Sequence, residues 1–395
     1  MAEQNYEVRP IDGSLDQYVS LAGEALLSHE QHAWEMYVDR VGRENLRGVY
    51  RDDRLAGGMA FYRMGQYFGG NALDCAGFSG VAISPTERGN GAGGKLLKSV
   101  LGEIRDEGIP IASLYASTQS LYRGLGFEQA GTQTLYSIPL NSIACHDREL
   151  EIHRLTDPPL EKLNRIASVR AERGNGQLRR TTGLWKRLID PYDQRGSITY
   201  LIGDFDAPEG YAIFRPGTRE GGVPQPLIST DVVANTPAAL RRLLTLIRDH
   251  RSMCDSFEWY GAPNDSLHYF ADEQWLTVKH FVRWMLRIVD LPAALTGRGY
   301  APSLEGELHF KIEDTVLPEN SGSWKLVLND GKASVEPGGR GDLAMDIQTL
   351  APMFSSLYSA TELAQLGKLR SNSPSQIDFA TDVFAGPAPW VPELY

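Results

Sequence analysis

Cysteine is scarce in this chain: Cys75, Cys145 and Cys254 are the three present in 395 residues. Scattered thiols in odd number build no disulfide framework and fit a reducing compartment, so a cytoplasmic location is expected. No C-x-x-C pair occurs, which removes a common thiolate zinc site. His29-Glu30-Gln31-His32 looks like a metal motif, but its histidines are three positions apart. The H-E-x-x-H motif sets them about four apart, roughly one helical turn. The segment is read as a polar helix face, and no metal site is expected. No apolar run approaches the ~18 residues of a membrane span. Met1–Pro10 carries Glu3, Glu7 and Arg9 and lacks the apolar segment of a secretory signal.

What is present fits a globular protein, with 42% hydrophobic and 23% charged residues. The length predicts two or three domains. The net charge of −11 repels phosphate backbones, so nucleic acid is not expected as the main partner. It suits cationic substrates such as amines, and it equally serves solubility.

Residues 6–140 read as one α/β unit. Strands are expected at Tyr6–Pro10, Arg47–Tyr50, Gly57–Tyr62, Cys75–Ile83, Ile109–Tyr115 and Thr132–Pro139, with a turn at Arg51-Asp52-Asp53-Arg54. Gln17–Leu27 has helical spacing, and Gln119–Gly124 is a short helix. Gly91–Asp106 places Leu96, Leu97, Val100, Leu101 and Ile104 on one helix face. A second unit repeats the order of strand, turn and long helix. Leu150–Arg154, Thr199–Asp204, Tyr211–Arg215 and Leu227–Ala234 are its strands, and Thr236 caps a helix with Pro237 at its first position. This pattern suggests a duplicated fold. A third unit begins near Leu291-Pro292. Leu308, Phe310 and Ile312 alternate with polar residues, Asn329-Asp330-Gly331 is a hairpin signal, and Leu350–Leu357 is helical. The tail from Gly386 to Tyr395 is rich in proline and aromatics, so it is expected to be stiff, extended and docked.

Ser79-Gly80-Val81-Ala82-Ile83 ends a strand. A glycine-rich turn follows, with Arg88, Gly89, Asn90, Gly91, Ala92, Gly93 and Gly94, and it opens the amphipathic helix. Glycines let backbone approach a bulky ligand, and a helix N-terminus carries partial positive charge, so the turn is a candidate pyrophosphate site. It is not a P-loop, because Lys95 is followed by Leu96 rather than Ser or Thr. It is not a Rossmann turn either. That turn follows the first strand of its unit, and Asp106 and Glu107 read as an exposed helix end instead of a ribose ligand.

Arg88-x-x-Gly91-x-Gly93 after a Val-Ala-Ile strand resembles motif A of the GNAT superfamily of N-acetyltransferases. The run Ala116-Ser117 … Tyr122 … Gly126-Phe127 is similar to that superfamily's approach to its last strands. Over the full length the chain resembles the Eis (enhanced intracellular survival) family. Tyr122 with Gly126-Phe127, the junction Met285–Tyr300 and the aromatic C-terminus carry the resemblance. It implies an α+β protein with α/β layers: tandem GNAT-like domains followed by a sterol-carrier-protein-like α+β domain. The expected limits are 1–145 for the catalytic domain, 146–290 for a degenerate second copy and 291–395 for the sterol-carrier-like domain. The second copy has no Arg-x-x-Gly-x-Gly after Leu227–Ala234, which fits a domain that binds no acetyl-CoA.

Acetyl transfer to an amine needs a base for the ammonium proton, donors for the oxyanion and an acid for the leaving thiolate. Backbone N–H groups near Val81–Ile83 are candidate donors. The resemblance implies acetyl-CoA as donor, held at Val81–Ile83, Arg88–Gly94 and Ser117, with Tyr122 as the acid. It also implies the chain's own terminal carboxylate, that of Tyr395, as the base. Glu393 lies one residue further from the end than that family's penultimate glutamate. Cys75, near the start of the motif strand, is read as structural rather than as an acetyl carrier.

The expected acceptors are aminoglycoside-like polyamines or lysine side chains, and the expected assembly is a homohexamer, a trimer of dimers. Glu24, Glu30, Glu35 and Asp39 are candidate acidic residues for the acceptor. The competing reading is a non-catalytic lipid-binding or scaffold protein that uses the third domain.

Overall fold

The computed structural model describes residues 5–11, 13, 15–27, 31–191, 196–217 and 225–395. His29 and Glu30 of the metal-like segment lie outside them. The chain forms two compact units. One comprises Met1–Gly131, Trp284–Pro387 and Tyr395; the other comprises Thr132–Arg283 and Ala388–Leu394.

The first unit contains strands β1 (Glu7–Pro10), β2 (Leu46–Arg51), β3 (Arg54–Phe68), β4 (Asn71–Ile83) and β5 (Ile111–Tyr115). β1 to β4 pair antiparallel in chain order, and β5 joins β4 in parallel. Residues 284–288 close the series antiparallel to β5. The β2–β3 turn falls on the expected residues. Asp52 and Asp53 take φ of 49° and 59°, a left-handed pair suited to a tight hairpin. β3 and β4 extend further into their hairpin than expected, through the pairs from Arg63↔Ala76 to Phe68↔Asn71. Met64–Phe68 is buried at every position, so no alternation marks it as strand.

Helices α1 (Leu15–Ala25), α2 (Gln31–Val41), α3 (Ala92–Asp106) and α4 (Gln119–Arg123) complete this part. α3 buries the expected five residues, Leu96, Leu97, Val100, Leu101 and Ile104. α2 begins inside the segment read as a polar helix face and runs on to Val41, further than anticipated. The same unit holds a five-stranded sheet in the order Lys332–Pro337, Gly322–Asn329, Gly306–Glu313, Leu343–Asp346, Arg370–Ser371. Asp330 and Gly331 form its left-handed hairpin turn, with φ of 49° and 70°. The following helix, Ile347–Phe354, is capped by Asp346, which accepts from the Thr349 N–H at 2.7 Å.

The second unit pairs its strands in the order Ile152–Leu155, Ile198–Gly203, Pro208–Pro216, Gln225–Ala234, Cys254–Gly261, and then residues 134–139. Its helices are Leu160–Glu172, Thr182–Ile189 and Pro237–Asp249. The tail segment Ala388–Leu394 belongs here and forms no helix, as its prolines favour, with one parallel bridge between Trp390 and Thr132. Backbone bonds tie Trp390 and Val391 to Asn175 and Thr132, and Gln133 donates to the Pro392 carbonyl at 3.1 Å.

A buried charge network secures the tail further. Arg180 holds Glu393 through Nη2–Oε2 at 2.9 Å and Asp231 through Nη2–Oδ2 at 2.8 Å. Arg170 holds the other Asp231 oxygen at 2.7 Å, and the Tyr211 hydroxyl donates to Asp231. Burial pushes the Asp231 pKa up, but the two arginines outweigh it and hold the carboxyl below its ordinary value. Arg180→Ala takes the arginine from buried Glu393 and leaves Asp231 with Arg170 and Tyr211. Removing one partner of a buried pair costs about 3–5 kcal/mol. Urea unfolding is expected to show a loss of that size, and a loss within about 0.5 kcal/mol, the range of surface substitutions, would contradict the network's role.

Candidate active site

The site grows out of a fork in the first unit's sheet. β4 and β5 pair from Cys75↔Ile111 to Phe78↔Leu114 and no further, while β4 continues to Ile83. On its other edge β4 stays with β3, through Gly58↔Ala82 and Gly57↔Ile83. Between Ala60↔Ser79 and Gly58↔Ala82 the register shifts, which is a bulge. Gly80 lies in this bulge with φ of 60°, and a Cβ there would sit 2.7 Å from the Tyr18 hydroxyl. The Tyr18 hydroxyl donates to the Gly80 carbonyl at 2.8 Å and pins the bend. Beyond the fork, one backbone edge of Ser79–Ile83 has no strand beside it among the described residues. Ala82 is buried, whereas Val81 and Ile83 are half-buried against the core that α3 also packs on.

The glycine turn leads from this strand into α3. Gly89 and Gly91 take φ of 80° and 91°, and no atom lies within 4 Å of where a Cβ at Gly89, Gly91 or Gly94 would be. Gly93 is closer to the strand, its Cβ position 3.5 Å from the Ile83 side chain. Gly91 caps α3 without a side-chain hydrogen bond, and the first turn carries no acidic residue. The first N–H groups of a helix have no acceptor within it. Here the first turn brings no acidic side chain to compete for them, and the open space over the glycines would admit a phosphate group. Ala92 is buried in the core, so only its backbone can serve a ligand, while Asn90 is exposed. Arg88 is exposed, but its guanidinium donates to the Ala25 carbonyl at 2.8 Å and the Ile83 carbonyl at 3.3 Å. It braces the strand end against α1.

Ser117 is exposed on the loop after β5, and Tyr122 follows on α4. Tyr122 packs edge-on to Phe127 at 6.0 Å, in the same cluster as Phe78, Ala92 and Leu96. Burial pushes its phenol up to about 12, so it is protonated at neutral pH. Gly126, with φ of 87°, is needed because a Cβ would lie 2.7 Å from the buried Arg287 guanidinium. Arg287 donates to Asp314 at 2.6 and 2.8 Å. Gly126 of the Gly-Phe pair and Arg287 of the junction segment thus meet in space.

Tyr395 also belongs to the first unit. It is 8% exposed, its ring meets Tyr115 edge-on at 5.6 Å, and its hydroxyl donates to Ser113 Oγ at 2.7 Å. The structure therefore gathers the strand edge, the helix start, Tyr122 and Tyr395 in one unit. Glu393 belongs to the other, where Arg180 engages it. Cys75 is buried, with its Sγ 3.2 Å from Ser113 Oγ and 3.8 Å from Gln66 Oε1. Glu24, Glu35 and Asp39 are exposed on α1 and α2, and Glu30 lies outside the described residues. Among the described residues no group of three or more His, Cys, Asp or Glu lies together as metal ligands, and no helix is long and apolar enough to cross a membrane.

Sequence reasoning missed Gly77, Gly80, Ser113 and Arg180. A glycine inside a strand pattern is a bulge signal, and Gly80 carried it. Ser113 and Arg180 gave no local signal.

The second unit repeats the strand arrangement with a different helix start. Gln225–Ala234 pairs in parallel with Cys254–Gly261 only at Gln225, Leu227 and Ile228. The helix that follows has Pro237 in its first turn, and Thr236 Oγ1 accepts the Ala239 N–H at 3.1 Å. Proline has no N–H, and the threonine takes another donor. That helix start has fewer groups to offer an anion.

Residues 7–130 match an acetyltransferase (GNAT) domain family, residues 176–288 match another, and residues 291–392 match a sterol carrier protein domain family. The GCN5-related N-acetyltransferase from Anabaena variabilis is 34% identical, with a TM-score of 0.94, over 99% of this chain and 100% of its own. N-acetyltransferase Eis from Mycobacterium tuberculosis is 27% identical over 80% of this chain and 79% of its own. The GCN5-related N-acetyltransferase from Kribbella flavida is 24% identical and shares the fold, with a TM-score of 0.87 over 100% of this chain and 99% of its own.

The burial of Tyr122 makes a spectroscopic prediction. An exposed tyrosine ionises near pH ~10. The phenolate absorbance lost in Tyr122→Phe is expected only at clearly higher pH. A difference that appears at or below the ordinary tyrosine range would contradict the buried, protonated phenol.

Proposed function

Because the chain belongs to the GCN5-related N-acetyltransferases and is similar to N-acetyltransferase Eis over most of its length, we propose that its first unit transfers acetyl from acetyl-CoA to a primary amine by direct attack. The observation that carries this reading is the strand fork leading into an uncapped, glycine-lined helix start. In this reading the pyrophosphate of acetyl-CoA lies on the N–H groups of Gly91–Gly94, and the pantetheine arm enters the fork beside Val81, Ala82 and Ile83. Gly89 and Asn90 border the phosphates, Arg88 braces the turn, and Ser117 faces the coenzyme from the β5 side.

The amine nitrogen attacks the thioester carbonyl carbon. N–H groups of the free β4 edge stabilise the oxyanion. As the C–S bond breaks, coenzyme A leaves as a thiolate and takes the Tyr122 proton. The buried phenol carries its proton at neutral pH and so has one to give, although burial makes it a weaker acid than a free tyrosine. The proton of the attacking amine passes to the Tyr395 α-carboxylate, directly or through water. With a reference pKa near ~3.5, that carboxylate is ionised at neutral pH.

The acceptor class in this proposal is a small polycation of aminoglycoside type or a lysine side chain, supported by the net charge of −11. The proposal also takes the domain limits as 1–145, 146–290 and 291–395, acetyl-CoA binding as confined to the first of these, the assembly as a homohexamer and the location as cytoplasmic.

Kanamycin, spermine and a lysine-containing peptide serve as acceptors in a thiol-release assay. Tyr122→Phe is expected to keep its acetyl-CoA affinity by calorimetry and to lose about 10²–10⁴-fold in kcat, the usual worth of a placed acid. Full kcat would reduce Tyr122 to packing. Failure of the unaltered chain to turn over any of the three would overturn the proposed acceptor class.

A further inference from the structure

The terminal tyrosine occupies a slot that the sheet is built to receive. In the β4–β5 register Gly77 faces Ser113, one pair before the fork at Phe78↔Leu114. Gly77 supplies the space: a Cβ there would lie 3.0 Å from Tyr395 Cδ2 and 3.0 Å from Met64 Sδ. Ser113 supplies the floor. It is fully buried, and its Oγ accepts the Tyr395 hydroxyl proton at 2.7 Å. Tyr115, two residues along β5 and so on the same face, forms the wall at 5.6 Å.

Behind Ser113 the polar atoms continue in a row. Ser113 Oγ is 3.2 Å from Cys75 Sγ, and Cys75 Sγ is 3.8 Å from Gln66 Oε1. One donor order accommodates every hydrogen: Tyr395 to Ser113, Ser113 to Cys75, Cys75 to Gln66. These three residues lie on β5, β4 and β3. An aromatic ring needs no hydroxyl to fill an apolar slot, and a buried hydroxyl without a partner costs about 1–3 kcal/mol. The row therefore makes the slot specific for a tyrosine at one depth.

Resting on the reading of Tyr395 as the base, we infer that Ser113 is a positioning residue for the transfer reaction. By anchoring the phenol at the bottom of the slot, it fixes the α-carboxylate at the other end of the same residue. Cys75 and Gln66 support it from behind, which gives the buried thiol a role without covalent chemistry.

The test compares Tyr395→Phe, Ser113→Ala, their double variant and a chain ending at Leu394, with the same three acceptors. Tyr395→Phe keeps the carboxylate and removes only the anchor. Misplacing a reacting group by about 1 Å costs up to about 10²-fold in rate. Each single variant is expected to lose about 10- to 100-fold in kcat, with acetyl-CoA affinity unchanged and the acid limb of the kcat–pH profile retained. The double variant is expected to be no slower than the slower single, because both remove one interaction. The truncated chain is expected to lose more and to lose the acid limb. Full kcat in Tyr395→Phe beside an inactive truncation would overturn the positioning role and leave the base reading standing. An active truncation would overturn the base reading and this inference with it. Losses that add in the double variant would also overturn the inference. If Ser113→Ala no longer binds acetyl-CoA, Tyr395→Phe decides alone.

Discussion

Hydrogen bonding between β4 and β5 ends at the Phe78–Leu114 pair, and the arrangement of the site depends on where it ends. A strand that stayed paired to Ile83 would have no free edge. The bulge at Gly80 diverts it, and the Tyr18 hydroxyl holds the diverted carbonyl. Only glycine fits there, because the backbone is left-handed and two tyrosine hydroxyls crowd the Cβ position. Below the fork, the paired part of the strands forms the Gly77–Ser113 slot for Tyr395. Above it, the glycine turn opens α3 with its donors uncapped. One parting of two strands thus creates both a cleft and the firm ground beside it.

The second unit shows how little separates an uncapped helix start from a capped one. It keeps a long strand with a short parallel pairing and a helix after it. Thr236 and Pro237 close that helix start by ordinary capping chemistry, which stabilises a helix end and removes donors in the same stroke. Where the first unit leaves the helix start uncapped at Gly91, the second uses the same place in the fold for stability. Its own polar capital goes into the Arg170–Asp231–Arg180–Glu393 network, which holds the tail.

Much of this was legible in the residues. The α3 face, the Asp-Asp and Asp-Gly turns, the Thr236 cap and the glycine turn each follow from a local rule, and each lies where those rules put it. The inner half of the β3–β4 hairpin was not legible, because a strand buried on both faces loses its period of two. α2, by contrast, was legible, since Trp34, Tyr37, Val38 and Val41 fall at i, i+3, i+4 and i+7, but only its start was read as helix. Within the site, Gly91 and Tyr122 stand in recognisable motifs. Ser113 and Arg180 do not, since their partners lie 282 and 213 positions away in sequence. Glu393, one residue further from the end than the glutamate of the family the chain resembles, is engaged by a buried arginine that no spacing rule could identify.

The central claim is that one fork, in the first unit alone, holds the acetyl donor. Calorimetric titration of the full chain with acetyl-CoA tests it most directly. The account predicts one molecule bound per chain, with binding abolished by Gly91→Val, whose side chain intrudes on the open turn and strains a φ of 91°. Two molecules per chain, or undiminished binding in Gly91→Val, would contradict it.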